Sequence, residues 1–170
     1  YGDAVNFNAH TYTHDGIVSG DTVDVTYTAP DYVVGANADE TFAIIPSLNG
    51  TYSNYNFILE NGTLTVVKRD ATITADNKTI VYGEAIDTVD LTYTLTGALE
   101  GDTVLVTLEA VDYVAGAVPD TTFTIEATSS NENYNFNVTN GTLTVVKKDI
   151  TVTAGNGTVV YGSEADFLAV

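Results

Sequence analysis

An internal repeat constrains the fold of this chain more than any other feature of its sequence. Tyr1-Gly2 returns as Tyr82-Gly83, and Tyr161-Gly162 begins the pattern a third time at a nearly equal spacing. Self-similarity at a fixed period indicates that one small structural unit is repeated along the chain. The 170 residues are therefore predicted to form tandem modules with separate cores.

The two copies differ in length at one place. Early segments match at the spacing that separates the first two Tyr-Gly motifs, for example Asp31–Gly35 and Asp112–Gly116. Later segments match at the slightly shorter spacing that separates the second motif from the third, for example Asn54–Phe57 and Asn133–Phe136. Because insertions belong in surface loops, the intervening residues 46–53 are predicted to form a loop.

Apolar and polar residues alternate within each copy. In the second copy Leu91, Tyr93 and Leu95 alternate with threonines, and four further stripes follow the same pattern. A period of two is typical of strands with one face on a core, and no segment sustains the 3.6-residue period of a helix. The pattern predicts an all-β fold with about six strands per copy, arranged as a β-sandwich or a helix-poor, β-grasp-like module.

Asn-Gly pairs at Asn61-Gly62 and Asn140-Gly141 each lie between two alternating segments. Asn-Gly supplies the two positive-φ residues that a type I′ turn requires, so each pair is predicted to close a β-hairpin. The segments 71–81 and 149–160 are interrupted by Asp-Asn and Gly-Asn-Gly. Each of them is predicted to be a bent or bulged strand.

The chain is strongly acidic, because 23 Asp and Glu against 5 Lys and Arg leave a formal charge of −18. That charge repels phosphate groups, so nucleic acid and anionic membrane surfaces are not expected as partners. No apolar segment approaches the roughly 20 residues that span a bilayer, so we expect no membrane insertion. Cys is absent, which excludes disulfides and thiolate metal sites.

The junctions between copies are short. Val67–Asp70 and Val146–Asp149 lead from one strand pattern into the next without a Pro-rich or Gly/Ser-rich linker. Short junctions limit the swing between modules, so the copies are expected to form a semi-rigid, end-to-end rod.

Several of these motifs occur in the same order in a known bacterial repeat. They are Thr72–Thr79 ahead of Val81–Gly83, then Tyr93–Gly97, Gly101–Thr103, and Asn133 through Val145. In these segments the chain resembles the MBG domain of the type named for its Tyr-Gly-X motif, which occurs in tandem arrays in large cell-surface and adhesion proteins. The resemblance implies a non-catalytic, extracellular region of a bacterial cell-surface adhesin. Because the sequence contains no Met, we expect a piece of a longer precursor, attached to the cell wall through regions outside this chain.

The resemblance also implies where the copies begin. In the customary phase of the family, residues 1–69 are a first copy without its opening strand, residues 70–148 are a complete copy, and residues 149–170 are the opening strand of a third. A cyclically shifted phase divides the chain instead into residues 1–81 and 82–160. In the customary phase the first copy lacks a strand, and residues 149–170 supply one strand more than the second copy needs. Unpaired strand edges bind additional strands. Head-to-tail strand exchange between chains is then expected.

No catalytic constellation is predicted. A Ser-His-Asp arrangement would have to use His10 or His14, and Leu91 and Leu95 replace both in the second copy. The two histidines cannot share a metal ion either, because four strand residues separate them by about 13 Å. We therefore expect no enzymatic activity and no cofactor, with calcium as the one alternative.

Acidic loop residues are the candidates for such a calcium site. In the second copy they are Glu100, Asp102, Asp112 and Asp120, and in the first copy Asp21, Asp31, Asp39 and Glu40. Carboxylate oxygens are ligands that calcium prefers, but no calcium-loop spacing occurs. The favoured interpretation is that these are turn residues on a solvated acidic surface.

Tyrosines are the candidates for glycan binding, since sugars stack on exposed aromatic rings and the chain has no Trp. Four tyrosines fall on apolar stripes and are predicted to be core residues: Tyr12, Tyr93, Tyr55 and Tyr134. Tyr32 and Tyr113, each between an Asp and a Val, are predicted to be the exposed pair and are the candidates for a ligand-binding site.

The sequence leaves two functions open. The first is adhesion, in which repeated shallow sites bind host mucus glycans, or a matrix glycoprotein or polysaccharide, and gain strength from multivalency. The second is a passive stalk that projects a distal adhesive or enzymatic domain. A calcium-stabilised extracellular repeat is a further alternative.

Overall fold

The structure, a computed structural model, describes residues 1–7, 12–87 and 90–164. Within these residues the regular structure consists of β-strands without any α-helix, which confirms the predicted all-β class. In chain order the strands are β1 (Val25–Thr28), β2 (Thr41–Leu48), β3 (Gly62–Thr65), β4 (Arg69–Ala75), β5 (Lys78–Val81), β6 (Tyr93–Thr96), β7 (Val106–Ala110), β8 (Thr122–Ser129), β9 (Tyr134–Thr139) and β10 (Gly141–Val146). We name residues 1–67 the N-terminal lobe, residues 69–146 the C-terminal lobe and residues 147–164 the tail.

The C-terminal lobe contains two sheets, with strand orders β5-β10-β8-β7 and β6-β4-β9. β4 is the central strand of the smaller sheet, antiparallel to β6 and parallel to β9, so that Ile73 lies opposite both Leu95 and Val138. β5 pairs in parallel with β10 at the edge of the larger sheet. The segment 71–81 is therefore two strands, one in each sheet, and not the single bent strand that its sequence predicts.

The core of the C-terminal lobe lies between these two sheets. β4 buries every second residue, Ala71, Ile73 and Ala75, because the side chains of a strand alternate between its faces. Ile73 packs in one cluster with Ile125 of β8 and Leu143 of β10, and all three are fully buried. Full burial of a large aliphatic side chain contributes about 1.5–3 kcal/mol to stability, so β4 is a major source of the stability of this lobe.

The N-terminal lobe has one antiparallel sheet with the order β1-β2-β3. At the repeat spacing these strands correspond to β7, β8 and β10, whereas residues 12–15 and 55–60, the counterparts of β6 and β9, are not in strands. In the C-terminal lobe both β6 and β9 pair with β4, and the other segment with the β4 and β5 pattern is residues 150–160. The strand that would pair with both segments is not part of this lobe. In the described residues the lobes have three and seven strands, compared with the prediction of about six strands per copy and a first copy without its opening strand.

The Asn-Gly pairs do not form the predicted type I′ hairpins. Neither Asn140 nor Gly141 has the positive φ that such a turn requires, and Gly141 begins β10 opposite Ile125 of β8. β9 and β10 belong to different sheets, so the chain crosses between sheets at this point. Asn61-Gly62 likewise has no positive φ, and Gly62 begins β3. The hairpin prediction is wrong because β9 pairs with the distant β4 and not with its neighbour in sequence.

Two further segments differ from their predictions. The surface loop predicted at residues 46–53 is shorter, because β2 continues through Leu48 and pairs with β1. The tail is exposed throughout and forms no strand, although a strand is predicted at residues 149–160. Its apolar side chains face solvent, with Ile150 81% and Val152 87% exposed.

Candidate functional site

A Tyr-Asp pair occupies the same position in each lobe. In the C-terminal lobe the Tyr134 hydroxyl donates to an Asp102 carboxylate oxygen at 2.5 Å and accepts the backbone N–H of Leu99 at 3.0 Å. In the N-terminal lobe the Tyr55 hydroxyl donates to Asp21 at 2.5 Å and likewise accepts a backbone N–H from the neighbouring loop. Each pair therefore ties a Gly-Asp loop to the segment that carries the tyrosine.

These contacts keep the tyrosine hydroxyls protonated. Burial, followed by the hydrogen bond to Asp102, raises the pKa of Tyr134 above its usual value. The hydrogen bond to Asp21 is the main cause that raises the pKa of Tyr55. A tyrosine with a raised pKa remains a hydrogen-bond donor at neutral pH, so the arrangement positions loops and does not supply a base.

The carboxylates considered for calcium do not come together. Among the residues that the structure describes, no three His, Asp or Glu side chains lie close enough to hold a metal ion. Asp102 accepts the tyrosine hydroxyl described above, while Asp112 and Asp120 have left-handed φ values of 61° and 68°, typical of turns. Asp120 also lies 3.9 Å from the Lys147 ammonium group, and Glu100 is exposed in a turn. Calcium binding by these residues stays a prediction.

Tyr32 and Tyr113 are half-buried and not exposed as predicted. The Tyr32 hydroxyl donates to the backbone oxygen of Asp3 at 2.7 Å, and the Tyr113 hydroxyl to that of Glu84 at 2.5 Å. Each ring also packs edge to face against a Phe ring at 5.4 Å between centroids. The two tyrosines therefore hold the segment that follows each Tyr-Gly motif, and their role in ligand binding stays a prediction.

The four predicted core tyrosines divide into two groups. Tyr134 is buried and Tyr55 half-buried. Tyr12 and Tyr93 are 42% and 39% exposed, so the core prediction is wrong for this pair. Tyr93 is the first residue of β6, which lies at the edge of the sheet β6-β4-β9.

Contacts between the lobes concentrate around Arg69, the first residue of β4. Its Nε donates to the Gly97 carbonyl at 3.0 Å within the C-terminal lobe, and its Nη1 donates to Asp3 Oδ1 at 3.1 Å in the N-terminal lobe. The Tyr1 ring packs edge to face on the Tyr134 ring at 5.7 Å between centroids. The planar fork of a guanidinium group suits this bridging position, since it holds two acceptors in fixed directions.

Asn133 forms a second contact between the lobes. Its Oδ1 accepts the backbone N–H of Ala38 at 2.8 Å, and its Nδ2 donates to Asn37 Oδ1 at 3.3 Å. Gly2 has φ +81°, a backbone conformation that favours glycine, and a Cβ there would lie 2.1 Å from Leu99 Cδ1, so the Leu99 side chain would have to move. We name the whole set of residues the joint: Tyr1, Gly2, Asp3, Asn37 and Ala38 against Arg69, Leu99, Asp102, Asn133 and Tyr134.

A groove of about 860 Å³ opens on the N-terminal lobe. Its walls are residues 12–17 and 55–63, together with side chains of β1 and β2 that include Ile44. His14 is exposed on the wall, while His10, the other histidine weighed for catalysis, lies outside the described residues. We name this space the groove.

Comparison with known proteins agrees with the repeat pattern. Residues 71–144 match the family model described as MBG domain (YGX type). This match runs from β4 into β10 and confirms the resemblance read from the sequence motifs. No curated protein and no solved structure matches the chain.

Proposed function

We propose, from the premise that residues 71–144 are an MBG domain of the YGX type, that this chain is a stiff spacer. MBG domains are non-catalytic structural units of surface proteins, so the chain is a repeat region of such a protein. The finer proposal is an extracellular stalk that holds a distal adhesive or enzymatic domain away from the cell, with its attachment in other regions. In the described part of the chain, no helix has the length and hydropathy needed to cross a membrane.

The observation that carries this proposal is the joint. The connection from β3 to β4 spans only Val66–Lys68, and the Val66 N–H bonds the Glu40 carbonyl at 2.9 Å. In addition, Arg69 and Asn133 each reach across to the N-terminal lobe. A short connection combined with direct contacts limits the rotation of one module against the next.

The same joint can recur with a following copy. Tyr82, Gly83 and Glu84 repeat the Tyr-Gly-acid triplet of the joint, and Lys148 stands where Arg69 does in the previous copy. Tyr82 is 43% exposed and Lys148 is exposed, so both are accessible to another module. When each module contacts only its neighbours at a fixed angle, a tandem array becomes a rod of regular geometry.

A distance measurement across the joint tests the proposal. Because the chain has no Cys, Thr28→Cys and Glu109→Cys, at equivalent exposed positions of β1 and β7, can carry two unique spin labels. We expect one narrow distance distribution by double electron–electron resonance. Removing the joint contacts with Arg69→Ala and Asn133→Ala should broaden it, because the two lobes then reorient about the short connection.

The matched control for this measurement is Lys148→Ala. Lys148 is the counterpart of Arg69 but is exposed in the tail, so its removal should leave the distribution narrow. A broad distribution in the otherwise unmodified chain would contradict the stalk proposal, since it would mean that the joint does not hold the lobes.

Adhesion is the second candidate, and one repeated surface feature supports it. Val33 and Val114 occupy equivalent positions beside Tyr32 and Tyr113, and they are 66% and 68% exposed. A small apolar patch beside an aromatic ring, repeated along an array, is the kind of weak site that multivalency makes useful. Binding of mucin and of a glycan array would be compared for one, two and four linked copies of the chain. A stalk stays at background, whereas an adhesive array gains signal steeply with copy number.

A further inference from the structure

The two lobes differ at the groove. In the C-terminal lobe the central strand β4 lies between β6 and β9, with Ile73 fully buried. In the N-terminal lobe the counterparts of β6 and β9, residues 12–15 and 55–60, are walls of the groove. The groove therefore corresponds to the space that β4 occupies in the other lobe.

The tail carries the sequence that fits this space. Residues 150–160 align with β4 and β5 at the spacing between the second and third Tyr-Gly motifs, so that Val152 corresponds to Ile73. Residues 150–163 contain no charged side chain, which allows them to approach a chain of formal charge −18 without direct repulsion. An exposed, uncharged segment with strand alternation is a suitable donor for sheet addition.

We propose that residues 150–160 of one copy of this chain dock into the groove of a second copy, as β4 and β5 dock within the C-terminal lobe. In that register Val152 takes the place of Ile73. It lies between His14 and Leu59, the counterparts of the β6 and β9 residues that lie opposite Ile73. Residues 12–15 and 55–60 then pair with the docked strand, as β6 and β9 pair with β4.

One backbone contact of the N-terminal lobe repeats the contact that follows β5 in the C-terminal lobe. After β5, the Tyr82 N–H donates to the Val146 carbonyl at 2.8 Å. At the equivalent place in the N-terminal lobe, the Tyr1 amino group donates to the Val67 carbonyl at 2.7 Å. A strand running beside β3 in the way that β5 runs beside β10 therefore ends where Tyr1 begins, and the donor leaves the groove after Val160.

Gly62 provides the space for the turn of the docked segment. At its counterpart Gly141 a Cβ would lie 2.5 Å from the Asp76 carbonyl oxygen, because the turn between β4 and β5 passes close to it. At Gly62 the nearest atom to such a Cβ is Ile44 Cβ at 3.5 Å, so the same space is open. Gly155 corresponds to Asp76, and its carbonyl takes this position in the docked state.

The resulting contact is head-to-tail. The donor segment follows β10 and the acceptor groove lies in the N-terminal lobe, so the contact joins two different surfaces of residues 1–170. Heterologous contacts of this kind extend into open chains unless their rotation closes a ring.

Two complementary variants test the proposal. Val152→Asp disables the tail by placing a charge at the position of Ile73, and Gly62→Ala disables the groove by placing a Cβ where the Gly155 carbonyl docks. Each variant, refolded alone from urea, should be a monomer of 18.0 kDa by light scattering. The unmodified chain should form multiples of that mass that lengthen with concentration. Refolded together, the two variants should give a dimer and no larger species, because one offers only a groove and the other only a tail.

Val118→Asp is the control, since Val118 is 64% exposed and belongs neither to the groove nor to the tail. It should associate as the unmodified chain does. A synthetic peptide of residues 149–162 should raise the Tm of the Val152→Asp chain, and the same peptide with Val152→Asp should not. An unmodified chain that stays monomeric at every concentration, a variant mixture that stays monomeric, or a peptide without effect would each overturn the proposal.

Discussion

At the scale of single residues, Gly141 and Gly62 occupy equivalent positions in very different surroundings. A Cβ on Gly141 would lie 2.5 Å from the Asp76 carbonyl oxygen and 2.9 Å from that of Ala75, distances at which the backbone must shift. A Cβ on Gly62 would meet only Ile44, at 3.5 Å, an ordinary contact. The glycine is therefore required at position 141 by the close approach of another backbone and not by a turn conformation.

We expect Gly141→Ala to lower the free energy of unfolding by about 1–3 kcal/mol, the usual cost of forcing extra atoms into a packed site. Gly62→Ala should change it by less than about 0.5 kcal/mol, as for a surface substitution. Urea unfolding of the two variants under conditions in which the chain is monomeric measures the difference. Equal losses at both positions would contradict the proposed role of the turn between β4 and β5.

Tyr134 leads to a prediction about alkaline pH. Its folded-state pKa is raised, first by burial and then by Asp102, so folding favours the protonated form. The stability from this group is fully present below the unfolded-state pKa of about 10, and it is lost as the pH rises through the higher folded-state value. The free energy of unfolding should therefore fall above about pH 10.

Tyr134→Phe should reduce that fall and should lower stability at neutral pH by about 1–3 kcal/mol, because Asp102 and the Leu99 N–H lose their partner. Tyr93→Phe, at an exposed ring, is the control and should keep the pH dependence of the unmodified chain. If both variants lose stability in parallel above pH 10, Tyr134 is not the group responsible.

At the scale of elements, strand formation follows from the presence of a partner and not from the pattern alone. Residues 55–60 share their alternation with β9, yet only β9 is a strand, because β9 has β4 beside it. The tail shares its pattern with β4 and remains exposed. The backbone N–H and C=O groups of a strand need hydrogen-bond partners, which a neighbouring strand provides. In a segment without such a neighbour, water provides these hydrogen bonds, so the strand conformation gains no stability from them.

Ile73→Ala and Val152→Ala compare the same repeat position in these two settings. Ile73 is fully buried and Val152 is 87% exposed. We expect Ile73→Ala to cost about 2–5 kcal/mol through lost burial and a cavity, and Val152→Ala to cost less than about 0.5 kcal/mol in the monomer. Thermal unfolding at low protein concentration measures both. A large loss in the Val152 variant there would mean that the tail is packed within its own chain.

At the scale of the whole molecule, the two lobes have unequal cores. Every residue of the main buried cluster lies between Ile73 and Val145, whereas the N-terminal lobe contributes only Ala36, Ile44 and Val66 to the buried apolar residues of the described chain. Regions with few buried apolar contacts open at low free energy. The joint connects a well-packed lobe to a loosely packed one.

Amide hydrogen exchange should reveal this difference directly. We expect the amides of β8 to exchange more slowly than those of its counterpart β2, by a factor that reflects the lower opening free energy of the N-terminal lobe. Adding the peptide of residues 149–162 should slow exchange in β2 and leave β8 unchanged. Equal protection of β2 and β8 without peptide would show that the N-terminal lobe is stable without a docked strand.

The sequence by itself determined the repeat, the all-β class and the buried face of individual strands. Ile73, Ile125 and Leu143 are identifiable as inward-facing because the alternation of side chains along a strand is a local property. Asp112 and Asp120 adopt the left-handed φ values that Asp tolerates in turns, because φ preferences act within a few residues.

Only the tertiary structure decided which strands pair and which tyrosine hydroxyls form hydrogen bonds. Asn140-Gly141 carries the local signal for a hairpin, yet β9 pairs with β4, which begins the C-terminal lobe and lies far from β9 in the sequence. The Tyr134 hydroxyl likewise finds Asp102 across 32 residues, a distance at which no sequence pattern reports a contact. Pairing is a competition among all the edges that the folded chain brings together, so a local preference prevails only where no distant strand satisfies the same backbone groups better.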